Sequence, residues 1–303
     1  MNRLRLGTRG SALALAQAAW VKRELEEHDA QCQVELCIIK TSGDRFIDRP
    51  VQNIGGKGIF TKEIEDALRR GEIDLAVHSL KDLPTDLPHD LMIAAVPRRE
   101  DARDVLISRG KSKLAELAAG ARIGTGSLRR RAQLLNRRPE LTVVPVRGNI
   151  DTRLRKLDEG SLDAIVLAAA GLKRLGREGC ITEYLPDEIC VSAVGQGALA
   201  IESRDAAALR ERLACLHDDA TFTEVTAERA LLDRLSGGCH VPIGARARVD
   251  GPRLQMIAVV ASPDGGKICR GEISGTASEA VALGHRLAEQ LLSRGADRLL
   301  AAV

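Results

Sequence analysis

Apolar and polar positions along this chain alternate between two periods, which predicts strands that are followed by helices. Apolar runs of strand length occur at RLRLG (3–7), VELCIIK (34–40), IDLAVHS (73–79) and LMIAAV (91–96). Apolar residues recur every three or four positions, as in amphipathic helices, in ALALAQAAWVKRELEE (12–27) and FTKEIEDALRRG (60–71). This alternation indicates βαβ units and mainly parallel sheets.

The same pattern begins again after residue 100 and indicates a second domain of similar build. Its strands are predicted at RIGT (122–125), TVVPVR (142–147) and LDAIVLA (162–168), and its helices begin at Ser127 and within NIDTRLRKLDEG (149–160). GQGALAIESR (195–204) is predicted to be a strand that returns the chain to the first domain. From residue 218, a helix, three strands and a final helix indicate a small α+β domain.

We therefore predict an α/β fold with two similar, mainly parallel α/β domains, arranged as in periplasmic binding proteins, plus a small C-terminal α+β domain. The predicted boundaries are 1–99 with 195–217 for the first domain, 100–194 for the second and 218–303 for the third. A length of 303 residues exceeds one typical domain and agrees with this division.

Composition places the chain among soluble globular proteins, with 44% hydrophobic and 29% charged residues. No basic segment followed by an apolar one opens the sequence, and no apolar stretch is long enough to span a bilayer. We expect a cytoplasmic protein that does not bind membranes.

Positive charge is concentrated in one part of the sequence. Residues 121–160 hold nine arginines and one lysine against four acidic residues, a local charge of +6, whereas the whole chain has a net charge of +3. Arginine matches carboxylate and phosphate oxygens with a planar fork of donors. Aromatic residues make up only 2% of the chain and leave few platforms for stacking bases. We therefore expect a small polyanion as ligand, and no nucleic acid.

Loops that follow predicted strands carry the candidate anion-binding residues. GTRGSALA (7–14) places Arg9 and Ser11 before a helix, and GTGSLRRR (124–131) repeats that arrangement with Ser127, Arg129 and Arg130. Free amides at a helix N-terminus attract anions, and cations there oppose the macrodipole unless they share an anion. Arg138, near the far end of the same helix, is expected to be a solvated charge or one that compensates the helix dipole.

Two further loops extend this set. VRGNIDTRLRK (146–156) contains Arg147, Arg153 and Arg155, of which the last two cannot share a helix face. HSLKDLP (78–84) contains Lys81 and Asp82, and by itself this aspartate is equally an ordinary turn carboxylate. The long, glycine-bearing segment 41–60 is predicted to be a lid or a disordered loop.

Cysteine usage leaves one unusual position. The seven cysteines are odd in number and form no C-x-x-C pair, so we expect them to be reduced and expect no metal site. Cys239 lies in RLSGGCHVPIG (234–244), directly after two glycines. The glycines either make an ordinary turn or let another group approach the thiol closely.

Eleven motifs in one order are similar to those of the porphobilinogen deaminase (hydroxymethylbilane synthase) family. They are RGSALALAQ, TSGD, GGKGIFTKE, AVHSLKDLP, REDARD, GTGSLRRR, VRGNIDTRL, DAIVLAAAGLKRLG, VGQGALAIE, TAERA and GGCHVPIG. The resemblance runs from Arg9 to Gly244 and is looser in the final segment. It implies a monomeric transferase of tetrapyrrole biosynthesis that acts on porphobilinogen and binds no nucleic acid.

The resemblance also implies a cofactor and a set of site residues. Cys239 would carry a dipyrromethane primer through a thioether, and Asp82 would be the catalytic carboxylate. The other implied cofactor-binding residues are Ser79, Lys81, Thr125, Ser127, Arg129, Arg130 and Arg147. The implied substrate-binding residues are Arg9, Ser11, Arg147, Arg153, Arg174 and Gln196, and Lys57 and Phe60 would belong to a lid.

One residue departs from the family pattern, and two other protein classes fit parts of the sequence. Gly126 stands where the family often has a second serine, which puts one hydroxyl contact in doubt. A two-domain anion receptor would share the fold but would have no use for Cys239 or Asp82. A basic nucleic-acid binder would need more aromatic residues.

Overall fold

The computed structural model describes residues 3–45, 60–204, 207–235 and 241–301. The chain divides into two compact units, 1–100 with 198–222 and 101–197 with 223–303. The C-terminal α+β segment groups with the second unit in this division. The three predicted domain boundaries remain a prediction.

The described residues form strands and helices in alternation. The strands are β1 (Arg3–Thr8), β2 (Gln33–Ile38), β3 (Leu75–Ser79), β4 (Leu91–Ala95), β5 (Asp104–Ser108), β6 (Arg122–Gly124), β7 (Thr142–Val144), β8 (Ala164–Ala168), β9 (Glu183–Leu185), β10 (Leu199–Arg204), β11 (Ile243–Asp250), β12 (Arg253–Ala261) and β13 (Ile268–Thr276). The helices are α1 (Ala12–His28), α2 (Ser42–Arg45), α3 (Lys62–Arg69), α4 (Leu128–Arg137), α5 (Ile150–Asp158), α6 (Ala169–Arg174), α7 (Ala207–Arg212), α8 (Asp219–Arg234), α9 (Ala280–Ser293) and α10 (Ala296–Leu300).

The first unit contains a five-stranded sheet in the order β2-β1-β3-β10-β4. Strand β1 pairs in parallel with β2 and β3, whereas β10 is antiparallel to both of its neighbours. Four of the five strands therefore run the same way. Apolar side chains of α1, such as Val21 and Leu25, cover one core, and Ile64 and Leu68 of α3 belong to another.

The second unit repeats this plan with the order β7-β6-β8-β5-β9. Here β6 is parallel to β7 and β8, and β5 is antiparallel to both β8 and β9. Leu134 of α4 lies in one core cluster, and Leu157 of α5 lies in another together with Leu172 of α6. The mixed α/β architecture with two similar, mainly parallel sheets is thus confirmed.

The C-terminal segment is a three-stranded antiparallel sheet, in the order β11-β12-β13, that packs on helices. Its core joins Leu231 of α8, Leu254 and Met256 of β12, and Leu283 and Leu287 of α9. This small α+β arrangement agrees with the prediction. The predicted strand at 142–147 ends at Val144, because Pro145 has no N–H to donate to a ladder.

Close backbone approach explains the last glycine of GGCHVPIG. A Cβ atom on Gly244 would lie 2.7 Å from the Val191 carbonyl oxygen and 3.1 Å from that of Ser192. The next residue, Ala245, donates its N–H to the Ser192 carbonyl at 2.9 Å. Gly244 therefore lets β11 lie against the segment 191–192.

Candidate functional site

In the first unit, the loop after β1 presents Arg9 and Ser11 at the start of α1. Ser11 is the N-cap of the helix, since its Oγ accepts the Ala14 N–H at 3.3 Å. The Arg9 guanidinium lies over the Phe60 ring, 4.2 Å from the ring centroid. The Phe60 ring also fills the space that a side chain on Gly43 would need. Phe60 thus holds Arg9 by stacking.

The loop after β3 presents Ser79, Lys81 and Asp82 on one short turn. Strand β3 ends at Ser79 and is followed by a 3-10 turn, Leu80–Asp82. Leu80 is buried and donates its N–H to the Ala198 carbonyl at 3.0 Å, which fixes the turn to the start of β10. Ser79 Oγ accepts a hydrogen bond of 2.9 Å from Gln17 Nε2 of α1. Asp82 is exposed and Lys81 half-buried on this anchored turn.

In the second unit, the loop after β6 caps α4 as predicted. Ser127 is the N-cap, with its Oγ accepting the Arg130 N–H at 3.4 Å. The buried Thr125 hydroxyl accepts the Ser127 N–H at 3.3 Å. A Cβ atom on Gly126 would lie 2.9 Å from the Val146 carbonyl oxygen, so a serine at this position requires the segment after β7 to move.

Arg129 and Arg130 share an internal anion, Asp104, the first residue of β5. Arg129 Nη1 lies 2.6 Å from Asp104 Oδ2, and Arg130 Nη2 lies 2.7 Å from Asp104 Oδ1. The two guanidiniums also donate to main-chain carbonyls, Arg129 to Val191 at 2.6 Å and Arg130 to Val166 at 3.1 Å. All three charged side chains are buried.

Electrostatic attraction stabilises the triad of Asp104, Arg129 and Arg130 inside the second unit. Burial by itself raises the pKa of Asp104, but Arg129 and Arg130 hold that pKa well below its usual range. Gln196 Nε2 donates to Asp104 Oδ1 at 2.8 Å and to the Ala102 carbonyl at 2.7 Å. Burial also raises the pKa of Cys190, beside Asp104, to about 12, so this cysteine is a thiol at neutral pH. Asp104 is therefore an internal counter-ion shared by Arg129 and Arg130, and it offsets one of their two positive charges.

Arg153 has the opposite environment, because no carboxylate in the described residues balances its charge. Its Nε donates to the Gly148 carbonyl at 2.9 Å. Burial lowers the pKa of Arg153 to about 10, and the nearby positive charges of Arg130 and Arg147 add to this shift. Keeping a desolvated cation beside two others costs free energy that an anion would offset.

The neighbouring arginines differ from Arg153 in their surroundings. Arg155, two residues along α5, is 69% exposed and lies 3.6 Å from Glu159. Arg147 is exposed, and Arg174 Nη2 donates to the Gly197 carbonyl at 2.7 Å. The guanidinium of Arg138 donates to the carbonyls of Leu114 at 2.6 Å and Leu117 at 2.8 Å, so the solvated alternative is wrong. Its position as the C-cap residue of α4 fits the alternative of a charge that compensates the helix dipole.

The predicted residues divide between the two units. The first unit holds Arg9, Ser11, Phe60, Ser79, Lys81 and Asp82. The second holds Thr125, Ser127, Arg129, Arg130, Arg147, Arg153, Arg174 and Gln196. Lys57 and Cys239 lie outside the described residues. The functional roles of all these residues remain predictions.

Buried carboxylates, among them those of Asp104 and Glu228, escaped prediction. Asp104 belongs to the motif REDARD, yet nothing in the local sequence reveals that it binds two arginines of α4. Glu228 of α8 is fully buried and accepts the N–H groups of Gly195 at 2.7 Å and Ala247 at 2.8 Å. It ties the loop that carries Gln196 to β11. A charged residue inside an amphipathic helix is the only sequence signal that could have pointed to it.

Two other kinds of site are absent from the described part of the chain. None of its helices combines the length and apolar character that a membrane crossing requires. Within those residues, no group of three or more His, Cys, Asp or Glu side chains could hold a metal ion.

Comparison with known proteins finds two family matches. Residues 4–211 match the model of "Porphobilinogen deaminase, dipyromethane cofactor binding domain", and residues 222–293 match "Porphobilinogen deaminase, C-terminal domain". The porphobilinogen deaminase of Geobacter sulfurreducens is 51% identical over 304 residues, covering 100% of this chain and 95% of the relative. That of Desulforudis audaxviator is 54% identical over 299 residues, covering 98% of this chain and 97% of the relative.

A solved structure from another class shows a distant likeness. It is the periplasmic aliphatic sulphonate binding protein from Escherichia coli, with a TM-score of 0.42 and 12% identity. The match covers 99% of this chain and 92% of that protein.

Proposed function

Because this chain belongs to the porphobilinogen deaminase family, we propose that Arg153 and its neighbours bind the pyrrole carboxylates and that Asp82 catalyses the condensation. The reaction joins four porphobilinogen units head to tail, with loss of ammonia, and releases linear hydroxymethylbilane by hydrolysis. The observation that carries the binding proposal is the desolvated Arg153 guanidinium, which no carboxylate in the described residues balances.

The donor set in the second unit suits a dipyrromethane, whose rings carry acetate and propionate groups. Arg147 and Arg153 supply guanidinium donors, and Thr125 and Ser127 supply hydroxyls beside the N-terminus of α4. Arg129 and Arg130 would contribute through donors left over from Asp104, or by shaping the site. When bound, the primer supplies the terminal pyrrole carbon that attacks each incoming unit.

In the first unit, Asp82 is proposed to stabilise positive charge that develops on pyrrole nitrogens. Its turn is anchored by Leu80 and by the Gln17–Ser79 hydrogen bond, so the backbone that carries its carboxylate is held in a defined place. It is also suited to hold the proton that the departing amine needs. Arg9, stacked on Phe60, and Ser11 are proposed to bind a substrate carboxylate in this unit. In the second unit, Arg174 and Gln196 are proposed to be further substrate-binding residues.

The proposed attachment of the primer at Cys239 is tested by intact mass with peptide mapping. The purified protein should exceed its sequence mass by two condensed porphobilinogen units, all on the peptide that contains Cys239. Cys239→Ser should show the sequence mass alone, because a serine hydroxyl is a poor nucleophile. An adduct on Cys215 or Cys269 would refute the assignment, and an anion receptor or a nucleic-acid binder would carry no adduct.

The substrate-binding role of Arg153 is tested against Arg155, which lies on the same helix. Arg153→Leu should lower kcat/KM for porphobilinogen about 10- to 100-fold, the loss expected for one or two charge-assisted hydrogen bonds. Arg155→Leu should change kcat/KM less than about twofold, because this exposed side chain makes only a surface ion pair. Steady-state kinetics of both variants decide the matter. Equal losses would indicate a general electrostatic effect and remove Arg153 from the site.

We further propose that the protein is a cytoplasmic monomer that binds no nucleic acid. The low aromatic content, which leaves few platforms for stacking bases, supports the part of this proposal that concerns nucleic acid.

A further inference from the structure

The outer face of the C-terminal sheet carries a second arginine cluster, which the proposed reaction does not use. Arg246 of β11 lies directly opposite Ile257 of β12 in the antiparallel register. Side chains two positions apart on a strand share a face. By this register Arg246, Arg248 and Arg270 all lie on one face, and the opposite face holds core residues such as Leu254.

These arginines line a cavity of about 490 Å³. Small-molecule sites commonly measure about 300–1,000 Å³, so the cavity could hold a ligand of metabolite size. The acidic residues at its wall are Asp187, Glu188 and Glu272. Glu188 and Glu272 are exposed to solvent, which screens their charge.

Asp187 is the shared acceptor of the cluster, and it does not satisfy all three guanidiniums. Arg246 Nη1 lies 3.2 Å from Oδ1 and 3.4 Å from Oδ2, and Arg248 Nη2 lies 3.2 Å from Oδ2. Arg270 Nη1 reaches only the Asp187 main-chain oxygen, at 3.0 Å. Charge-assisted N–H···O bonds are usually about 2.7–2.9 Å long, so these contacts are loose.

Unused donors therefore remain on the three side chains. A guanidinium has five N–H donors, and Arg246 uses one nitrogen, Nη1, in the described residues. The Nε of Arg270 is 3.8 Å from Glu272 Oε1, beyond hydrogen-bond distance. A multivalent oxyanion would fill these donors at closer range than Asp187 does.

We propose that this cavity binds a small molecule bearing a phosphate or polycarboxylate group, held by Arg246, Arg248 and Arg270. The planar guanidiniums come from β11 and β13, the strands on either side of β12, and they present paired donors to such oxygens. Asp187 then acts as the competing internal anion that the ligand displaces.

Calorimetric titration at low ionic strength tests this proposal, with pyrophosphate and citrate as probes. The titrations use the Arg153→Leu protein, so that anion binding at the proposed substrate site does not obscure the result. One equivalent of probe should bind. Adding Arg246→Gln and Arg248→Gln together should raise the Kd of the probe at least about tenfold, because two charged donors are lost. Adding Arg253→Gln, an exposed arginine of the same sheet, should leave Kd within about twofold.

A gain-of-binding variant separates a lost site from a damaged fold. Asp187→Asn removes the competing negative charge and should tighten probe binding about fivefold. If pyrophosphate binds more tightly than citrate, the ligand is assigned as a phosphate. If citrate binds more tightly than pyrophosphate, the ligand is assigned as a polycarboxylate. If neither probe binds the Asp187→Asn protein, or if the double arginine variant binds as well as its parent, the cavity is a structural ion-pair cluster and the proposal is wrong.

Discussion

Asp82→Asn is expected to remove nearly all turnover of porphobilinogen while the protein remains folded. Asparagine keeps the size and an acceptor oxygen but removes the negative charge. Electrostatic groups aimed at developing charge commonly contribute about 100- to 1,000-fold to kcat, and we expect a loss of that order. Folding should change little, because Asp82 is exposed and the turn is held by Leu80 and Ser79. Thermal melts should therefore match those of the unaltered protein.

Two further variants sharpen this test. Asp82→Glu keeps the charge but moves it by about one methylene, and displacements of that size cost on the order of 100-fold, so a small but measurable rate should remain. Asp86→Asn alters another exposed aspartate of the same loop and should leave turnover unchanged. If Asp82→Asn turned over porphobilinogen at nearly the normal rate, Asp82 would be an ordinary turn carboxylate.

Asp104→Asn should destabilise the second unit strongly. The substitution leaves Arg129 and Arg130 buried without a counter-charge, and breaking a buried ion pair in this way costs about 3–5 kcal/mol. Asp151→Asn is the matched control, because Asp151 is 53% exposed and lies 3.6 Å from Arg177, whose side chain is 58% exposed. That change should cost about 1 kcal/mol or less. Urea unfolding of the three proteins measures these differences.

The effect of Asp104 should also depend on pH in a defined direction. Its pKa is lower in the folded protein than in the unfolded chain, so the unfolded chain binds the proton more readily. The stabilisation from Asp104 is therefore complete at neutral pH and is lost as the pH falls through the folded pKa. The gap in unfolding free energy between the normal and Asp104→Asn proteins should be constant near neutrality and narrow in acid. A gap below about 1 kcal/mol at neutral pH would contradict the triad's structural role.

Local sequence determined much of the architecture because its signals act over short distances. Ser11 and Ser127 precede apolar periodic segments, and each caps the helix that follows. The strand at 73–79 and the turn at Asp82 likewise follow from apolar run length and flanking residues. Strand β5 is absent from the predicted elements, since its five residues begin with a charged aspartate and no clear helix precedes them.

The arginines at the start of α4 need an anion, but the sequence does not reveal which anion meets them. Paired arginines at a helix N-terminus require an anion, and the sequence left open whether a ligand supplies it. The tertiary structure supplies Asp104, which lies 25 residues from Arg129 along the chain and adjoins it only because β5 pairs with β8. Arg138 shows the same limit, since the carbonyls that it contacts lie in a distant loop.

By itself the sequence determined the longer helices, most strands, the family and the list of candidate residues, because motifs and periodicity are properties of neighbouring positions. Only the tertiary structure decided which of the arginines are neutralised. Burial and the distance to a carboxylate depend on how distant segments pack, and these two quantities separate the ion-paired Arg129 from the unbalanced Arg153. They also brought Arg246, Arg248 and Arg270 together around Asp187, a cluster that no sequence motif marks.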